Sequence, residues 1–157
     1  AFHRMPPAPF RHRNLPLMML QAREALMAQF RPYLQEQGLT DQQWRIVRAL
    51  YDSGELEPRQ LGECCQISSP SITGVLARME EMGLIARQPV PGDRRRLRVS
   101  LTAQGKRIAK AIAPKVEAKY QELEALLGVE AMRRAYDVLD GLLAGLRDGD
   151  GEPPGRR

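Results

Sequence analysis

The side chains with chemical potential fall into a few clusters. The densest is Asp93-Arg94-Arg95-Arg96-Leu97-Arg98, which directly follows Pro91-Gly92. From Arg87 to Arg107, seven basic residues stand against the single acid Asp93, a net of +6 in a chain whose formal net charge is +5. Guanidinium groups pair bidentately with phosphate, and a narrow DNA minor groove attracts an inserted arginine. The alternative is a solvated basic turn. A second cluster holds Ser68, Ser69, Pro70, Ser71 and Thr73, with Arg78 further along. Short hydroxyls at a helix start reach phosphates and base edges without steric bulk, and an arginine pairs with guanine. Capping by Ser68 or Ser69 accounts for one serine but not for Ser71 and Thr73. A third set is His12, Arg13, Met19, Arg23, Trp44, Arg45 and Arg48. It offers an aromatic carboxylate both a cation for its charge and a wall for its ring. Core packing of Trp44 and Met19, and salt bridges between helices, are the plainer uses of the same residues. Cys64-Cys65 is either a pair of small apolar fillers or an oxidation sensor built on an exposed thiolate.

No catalytic constellation accompanies these clusters. The two histidines, His3 and His12, lie near the start of the chain, and there is no His-x-x-x-His, Cys-x-x-Cys, Gly-rich phosphate loop or nucleophile elbow. The expectation is a protein that is not an enzyme and needs no cofactor or metal. A length of 157 residues with 43% hydrophobic content suits one ordinary core, or two small lobes sharing one. No apolar run is long enough for a membrane span, and no secretory signal pattern stands at the start. Two cysteines fit a reducing cytoplasm rather than a disulfide scaffold.

The elements that must hold these clusters are mostly helical, since aromatics are only 5% and β-branched residues are sparse beside Leu, Ala, Met, Arg, Gln and Glu. Leu20, Leu26, Met27, Phe30 and Leu34 mark a helix over 15–37, ended by Gly38, with Pro32 expected to kink or divide it. Thr40 and Gln43 form a capping box opening a helix to Asp52, with Trp44, Val47, Leu50 and Tyr51 inward. A short helix follows from Pro58 to Cys65. A fourth, with Pro70 in its first turn, carries Ile72, Val75, Leu76 and Met79 inward to a stop at Gly83. The periodicity then changes. Leu84–Gln88 and Leu97–Leu101, joined through Pro91-Gly92-Asp93, predict a β-hairpin. Thr102 caps a long helix with Ile108, Ile112, Val116, Leu123 and Leu126 on its stripe, weakened by Gly105 and Pro114 and ended by Gly128. Met132, Tyr136, Leu139, Leu142 and Leu143 mark a last helix over 129–146.

The predicted class is mainly α (α+β), in the order α-α-α-α-β-β-α-α, the pattern of a winged helix-turn-helix between long terminal helices. Residues 1–14 read as a basic, Pro-rich arm and 148–157 as a disordered tail. Residues 39–102 form the reading head, and 15–38 with 103–147 a dimerisation region. The long helices carry more apolar stripe than one small lobe can cover, which implies a homodimer.

Several motifs resemble one family. Asp93-x-Arg95 followed by Leu101-Thr102-x-x-Gly105 is similar to the wing-to-helix signature of the MarR family. Leu39-Thr40-x-x-Gln43-Trp44, Leu61-Gly62, Ser71-Ile72-Thr73 and Leu76-x-x-Met79-Glu80-x-x-Gly83-Leu84-Ile85 fall in that family's order and spacing. Within it, Leu20–Ala25, Phe30-Arg31-Pro32 and Gln42–Arg48 resemble the branch that controls homoprotocatechuate and related aromatic-acid catabolism. The resemblance implies a dimeric repressor that binds a pseudo-palindromic double-stranded operator. The helix bearing Ser68–Arg78 would enter a major groove. The wing residues Asp93, Arg94, Arg95, Arg96 and Arg98 would lie against the adjacent minor groove, with Arg95 the first choice for contact. It also implies release by a small aromatic or heteroaromatic carboxylate held by the set from His12 to Arg48. The rival reading is a redox- or ligand-sensing dimer that uses Cys64/Cys65, its basic wing serving another partner.

Overall fold

The computed structural model describes residues 9–149; the outer parts of the expected arm and tail, residues 1–8 and 150–157, lie outside the described residues. Six helices and one hairpin follow in chain order: α1 (Leu15–Glu36), α2 (Asp41–Ser53), α3 (Pro58–Cys65), α4 (Ser69–Glu81), β1 (Ile85–Val90), β2 (Asp93–Leu101), α5 (Ala103–Leu127) and α6 (Val129–Gly149). This is the predicted order.

Local chemistry explains most boundaries. Asn14 accepts the Leu17 amide at 3.1 Å and so caps α1. The Thr40–Gln43 capping box is present, with Gln43 N donating to Thr40 Oγ1 at 3.2 Å and Thr40 N to Gln43 Oε1 at 3.0 Å. Gln43 is thereby satisfied although buried. At Gly38 (φ +70°) and Gly83 (φ +75°) the chain leaves α1 and α4 through paired bonds to the last turn, Leu39 N to Leu34 O and Leu84 N to Met79 O.

Pro32 does not divide α1, and Pro114 does not divide α5. Each proline frees the carbonyl four residues earlier, on Ala28 and Lys110. Both of those residues are exposed, so water can take up the free carbonyl. Gly105 has a positive role. A Cβ there would lie 2.2 Å from Leu84 O and 3.0 Å from Leu101 Cδ2. The start of α5 thus sits directly on the root of the hairpin. Thr102 locks the junction: its hydroxyl donates to Gly83 O at 2.6 Å and accepts from Gly105 N at 3.1 Å, while its own amide donates to Leu84 O at 3.0 Å. The Leu-Thr-x-x-Gly motif is the sequence of this close approach.

The described chain forms two compact units, divided after Ile112. The first has a continuous core in which Ile46, Leu50, Leu61, Leu76, Met79 and Val99 are essentially inaccessible. Expected inward positions are corrected in places. Tyr51 is exposed while Ile46 takes its place, and Trp44 and Val75 are only half-buried. On α1 only Phe30 and Leu34 of the predicted stripe are buried, and Leu20 and Leu26 are exposed. In the second unit Val116 and Leu123 are buried, but Leu126 is 78% exposed. No residue of α6 is buried, though Val129, Met132, Tyr136, Leu139, Leu143 and Leu146 recur at alternating spacings of three and four. That is the spacing of a helix–helix seam.

Candidate nucleic-acid interface and ligand site

The hairpin is built around Pro91-Gly92. Gly92 has φ +84°, and Pro followed by a positive-φ Gly is the order a tight turn of type II takes. The strands are antiparallel, Ile85 opposite Leu101 through Pro89 opposite Leu97. The register then jumps, because Val90 pairs with Asp93. Arg94, Arg95 and Arg96 therefore bulge from β2 without partners on β1, and all three are exposed. Strand β2 begins at Asp93 rather than at Leu97, so the arginines belong to a strand and not to a loop. Asp93 Oδ1 accepts the Arg95 amide at 3.0 Å, which stiffens the bulge.

The arginines differ in what they meet. Arg96 Nε donates to Glu57 Oε1 at 2.7 Å, Arg98 lies 3.6 Å from Glu55, and Arg87 donates to both oxygens of Glu80 at 3.0 and 3.3 Å. These bonds hold the Glu57 and Glu80 carboxyls below the usual range, the arginine hydrogen bond being the largest cause in each case. Among the described residues, Arg94 and Arg95 have no ion-pair partner. The +6 of the Arg87–Arg107 window is thus partly neutralised by three acids from elsewhere in the chain. Sequence reasoning missed Glu55, Glu57 and Glu80, since 39 residues separate Glu57 from Arg96.

Helix α4 presents the second cluster. Ser68, Ser69, Pro70, Ser71, Thr73 and Arg78 are all exposed, while Ile72, Leu76 and Met79 face the core. Ser68 occupies the cap position but makes no side-chain bond to a helix amide; its hydroxyl donates to Ser71 Oγ at 3.0 Å. The first turn of α4 therefore offers the Ser69 N–H beside exposed hydroxyls, donors that suit phosphate oxygens, while Pro70 has no N–H and the Ser71 and Ile72 amides donate to Ser68 O.

The expected ligand set is only partly assembled. Trp44 and Arg48 lie one turn apart on α2, and Arg48 makes a loose contact of 3.6 Å with Asp52. Arg45 is committed elsewhere: its Nη1 donates to Cys65 O at 2.5 Å and Gln66 O at 3.4 Å, covering carbonyls at the end of α3. Met19, His12, Arg13 and Arg23 are exposed, with Arg23 3.8 Å from Glu24. A cavity of about 590 Å³ lies between the end of α1, the start of α2 and α4, and includes Arg31, Leu39, Gln42, Val75 and Arg78 in its lining. None of the expected ligand residues lines it. Arg31, one of the two cations in that lining, is saturated by Glu24 (2.8 and 3.0 Å) and Asp41 (2.9 Å). It joins α1 to α2 and has little capacity left for an incoming carboxylate. Sequence reasoning missed this bridge too, although Glu24 lies two turns before Arg31 on one helix face.

Cys64 is exposed and Cys65 buried, with sulfurs 3.7 Å apart. Burial, reinforced by the hydrogen bond with Cys64, pushes the Cys65 thiol up to about 12. Such a group stays protonated and inert at neutral pH, which disfavours the pair as an oxidation switch.

Comparison with known proteins gives a consistent set of relatives. A family model described as the MarR family matches residues 37–96. The chain is 40% identical over 133 residues to the HTH-type transcriptional regulator FarR of Neisseria gonorrhoeae, covering 85% of this chain and 91% of that protein. It is 38% identical to the homoprotocatechuate degradative operon repressor of Escherichia coli, with 85% and 90% covered. Among solved structures, the transcriptional regulator PA4135 superposes with a TM-score of 0.81 at 41% identity, covering 85% of this chain and 98% of that one. NadR in complex with 4-hydroxyphenylacetate gives a TM-score of 0.77 at 40% identity, covering 87% and 97%.

Proposed function

The chain belongs to the MarR family of transcriptional regulators, and from that premise we propose that it is a homodimeric, cytoplasmic repressor that leaves its operator when it binds a small hydroxylated aromatic carboxylate. One observation carries the DNA-binding part. An exposed hydroxyl-bearing helix face and an arginine bulge with two uncommitted guanidiniums lie on one compact unit. In this reading Ser69, Ser71, Thr73 and Arg78 on α4 enter a major groove, and Arg95, steadied by Asp93, reaches the adjacent minor groove with Arg94 beside it. Residues 39–102 act as the reading head, and 15–38 with 103–147 as the dimerisation region. Exposed apolar side chains on α1 and the uncovered seam of α6 supply the surface a second copy would bury. Two heads then meet half-sites about one helical turn apart.

The relatives support an aromatic acid, since one is named for the homoprotocatechuate operon and another is solved with 4-hydroxyphenylacetate. Arg48 is the favoured carboxylate partner and Trp44 the ring wall, with Met19, Arg23 and the His12–Arg13 stretch as further contributors. Arg45 is set aside because α3 uses it.

The test is selection of bound sequences from a random duplex pool, followed by mobility shift on the enriched duplex with and without 4-hydroxyphenylacetate. Enrichment of a pseudo-palindrome that Arg95→Ala no longer binds is expected. No enrichment, or Arg95→Ala binding as tightly as wild type, refutes the assignment.

A further inference from the structure

Two ion pairs tie the hairpin to the two helices that precede it. On β2, Arg96 meets Glu57, the residue immediately before α3, at 2.7 Å. On β1, Arg87 grips Glu80, in the last turn of α4, at 3.0 Å. Leu56 bridges Val99 with backbone bonds of 3.1 and 2.8 Å, so the segment bearing Glu55 and Glu57 is pinned to β2 at a single antiparallel bridge. Arg94 and Arg95 stand apart on the bulge, with no ion pair among the described residues.

We propose that Glu57 and Glu80 are positioning residues that hold the hairpin at a set offset from α4, so that of the hairpin's arginines Arg94 and Arg95 reach DNA while Arg96 and Arg87 act as struts. The proposal rests on the DNA-binding reading above and deepens it.

The physics follows from what each guanidinium would give up. An arginine paired with a carboxylate has its charge neutralised and its plane oriented. Moving Arg96 to a phosphate would strand the Glu57 carboxylate beside a polyanion, so the exchange brings little net attraction. Arg94 and Arg95 have no such partner to lose. Reading a major groove with α4 and the next minor groove with the bulge also demands a fixed distance between the two. Met82, Gly83 and Leu84 connect α4 to β1, and Thr102, which holds Gly83 O and Leu84 O, fixes only the root of the hairpin, so its outer part needs a further brace. Arg87–Glu80 and Arg96–Glu57 provide that brace from both strands.

The probe is a duplex selected by the wild-type protein from a random pool, and failure of wild type to enrich any sequence would refute the DNA-binding reading rather than this proposal. Affinities of wild type, Arg95→Gln and Arg96→Gln are measured from about 50 to about 200 mM salt. If each of two protomers neutralises one phosphate fewer, the log–log salt slope falls by about 1.8, so the Arg95→Gln deficit should shrink about 12-fold over that range. Arg96→Gln should show a similarly reduced slope, because the unbraced bulge no longer seats Arg94 and Arg95, and the exchanged pair Glu57→Arg/Arg96→Glu should return the slope to the wild-type value. Hydroxyl-radical cleavage, which reports the minor groove, and dimethyl sulfate methylation of guanine N7, which reports the major groove, supply the positional readouts. Glu57→Gln and Glu80→Gln should lose the minor-groove protection flanking the site yet retain protection of guanine N7 in the major groove. The exchanged pair Glu57→Arg/Arg96→Glu should recover the minor-groove protection. A wild-type slope for Arg96→Gln, or a slope for the exchanged pair that stays as low as that of Arg95→Gln, overturns the proposal. So does intact minor-groove protection in both Gln variants, or loss of both protections together in every variant.

Discussion

Replacing Gly105 by Ala should destabilise the protein although Ala is the better helix former. The added Cβ would stand 2.2 Å from Leu84 O. An ordinary C···O contact is about 3.3 Å, so the first turn of α5 or the Leu84 peptide must retreat by about 1 Å. Leu84 O also accepts the Thr102 amide at 3.0 Å, and the adjacent Gly83 O accepts the Thr102 hydroxyl at 2.6 Å. A retreat of that size stretches both bonds beyond useful length, at about 0.5–1.5 kcal/mol each. Overpacking against Leu101 and the peptide adds about 1–3 kcal/mol. Against this stands a helix-propensity gain of at most about 1 kcal/mol. The balance is a loss of about 1–5 kcal/mol. Urea unfolding at one fixed protein concentration should show a lower midpoint with an unchanged m-value. Gly74→Ala is the control. It lies in the exposed face of α4 with nothing within 4 Å of the new Cβ, and it should raise stability by about 0.4–1 kcal/mol. A Gly105→Ala protein as stable as wild type, or more stable, would refute the close-approach reasoning.

Other consequences can be checked with simple assays. Leu139→Asp with Leu143→Asp places two charges on the exposed seam of α6 and should yield a monomer by light scattering, without loss of the first unit's helical signal. Arg48→Ala should abolish release of DNA by 4-hydroxyphenylacetate while leaving the melting temperature near wild type. Arg45→Ala should instead strip the donor from Cys65 O and Gln66 O, costing about 1.5–3 kcal/mol of stability with the ligand response intact. At pH 8 a thiol reagent should modify Cys64 alone, with Cys65 reacting only after unfolding, since its thiol is pushed up to about 12. Glu24, Glu57 and Glu80 are held below the usual carboxylate range by arginine hydrogen bonds. Their contribution is therefore present above the unfolded carboxylate pKa and lost as pH falls through the folded values. Stability should decline on acidification below that range; a flat profile there would refute the pairing.

What the sequence determined by itself was local. The Thr40–Gln43 box, the glycine exits at 38 and 83, the limits of α3, the Pro91-Gly92 turn and the Thr102 cap all depend on residues within four positions of one another. The side chain and the backbone group it satisfies are then neighbours in any conformation. The exposed polar face of α4 was legible because its apolar face repeats at helical spacing. Tertiary structure decided the rest. Pro32 read as a kink or break and Pro114 as a weakness, but the carbonyls they free are on exposed residues, and exposure is a property of the fold. Gly105 read as a weakness, and only the proximity of Leu84 O makes it a requirement. The Arg87–Arg107 window read as a uniform cationic patch. Glu55, Glu57 and Glu80 reach it by chain folding and leave Arg94 and Arg95 as its uncommitted charges. Arg45 and Arg48, one turn apart and alike in sequence, part company because one faces the end of α3 and the other does not. Electrostatic partners act through space, so their identity enters only when the chain has folded.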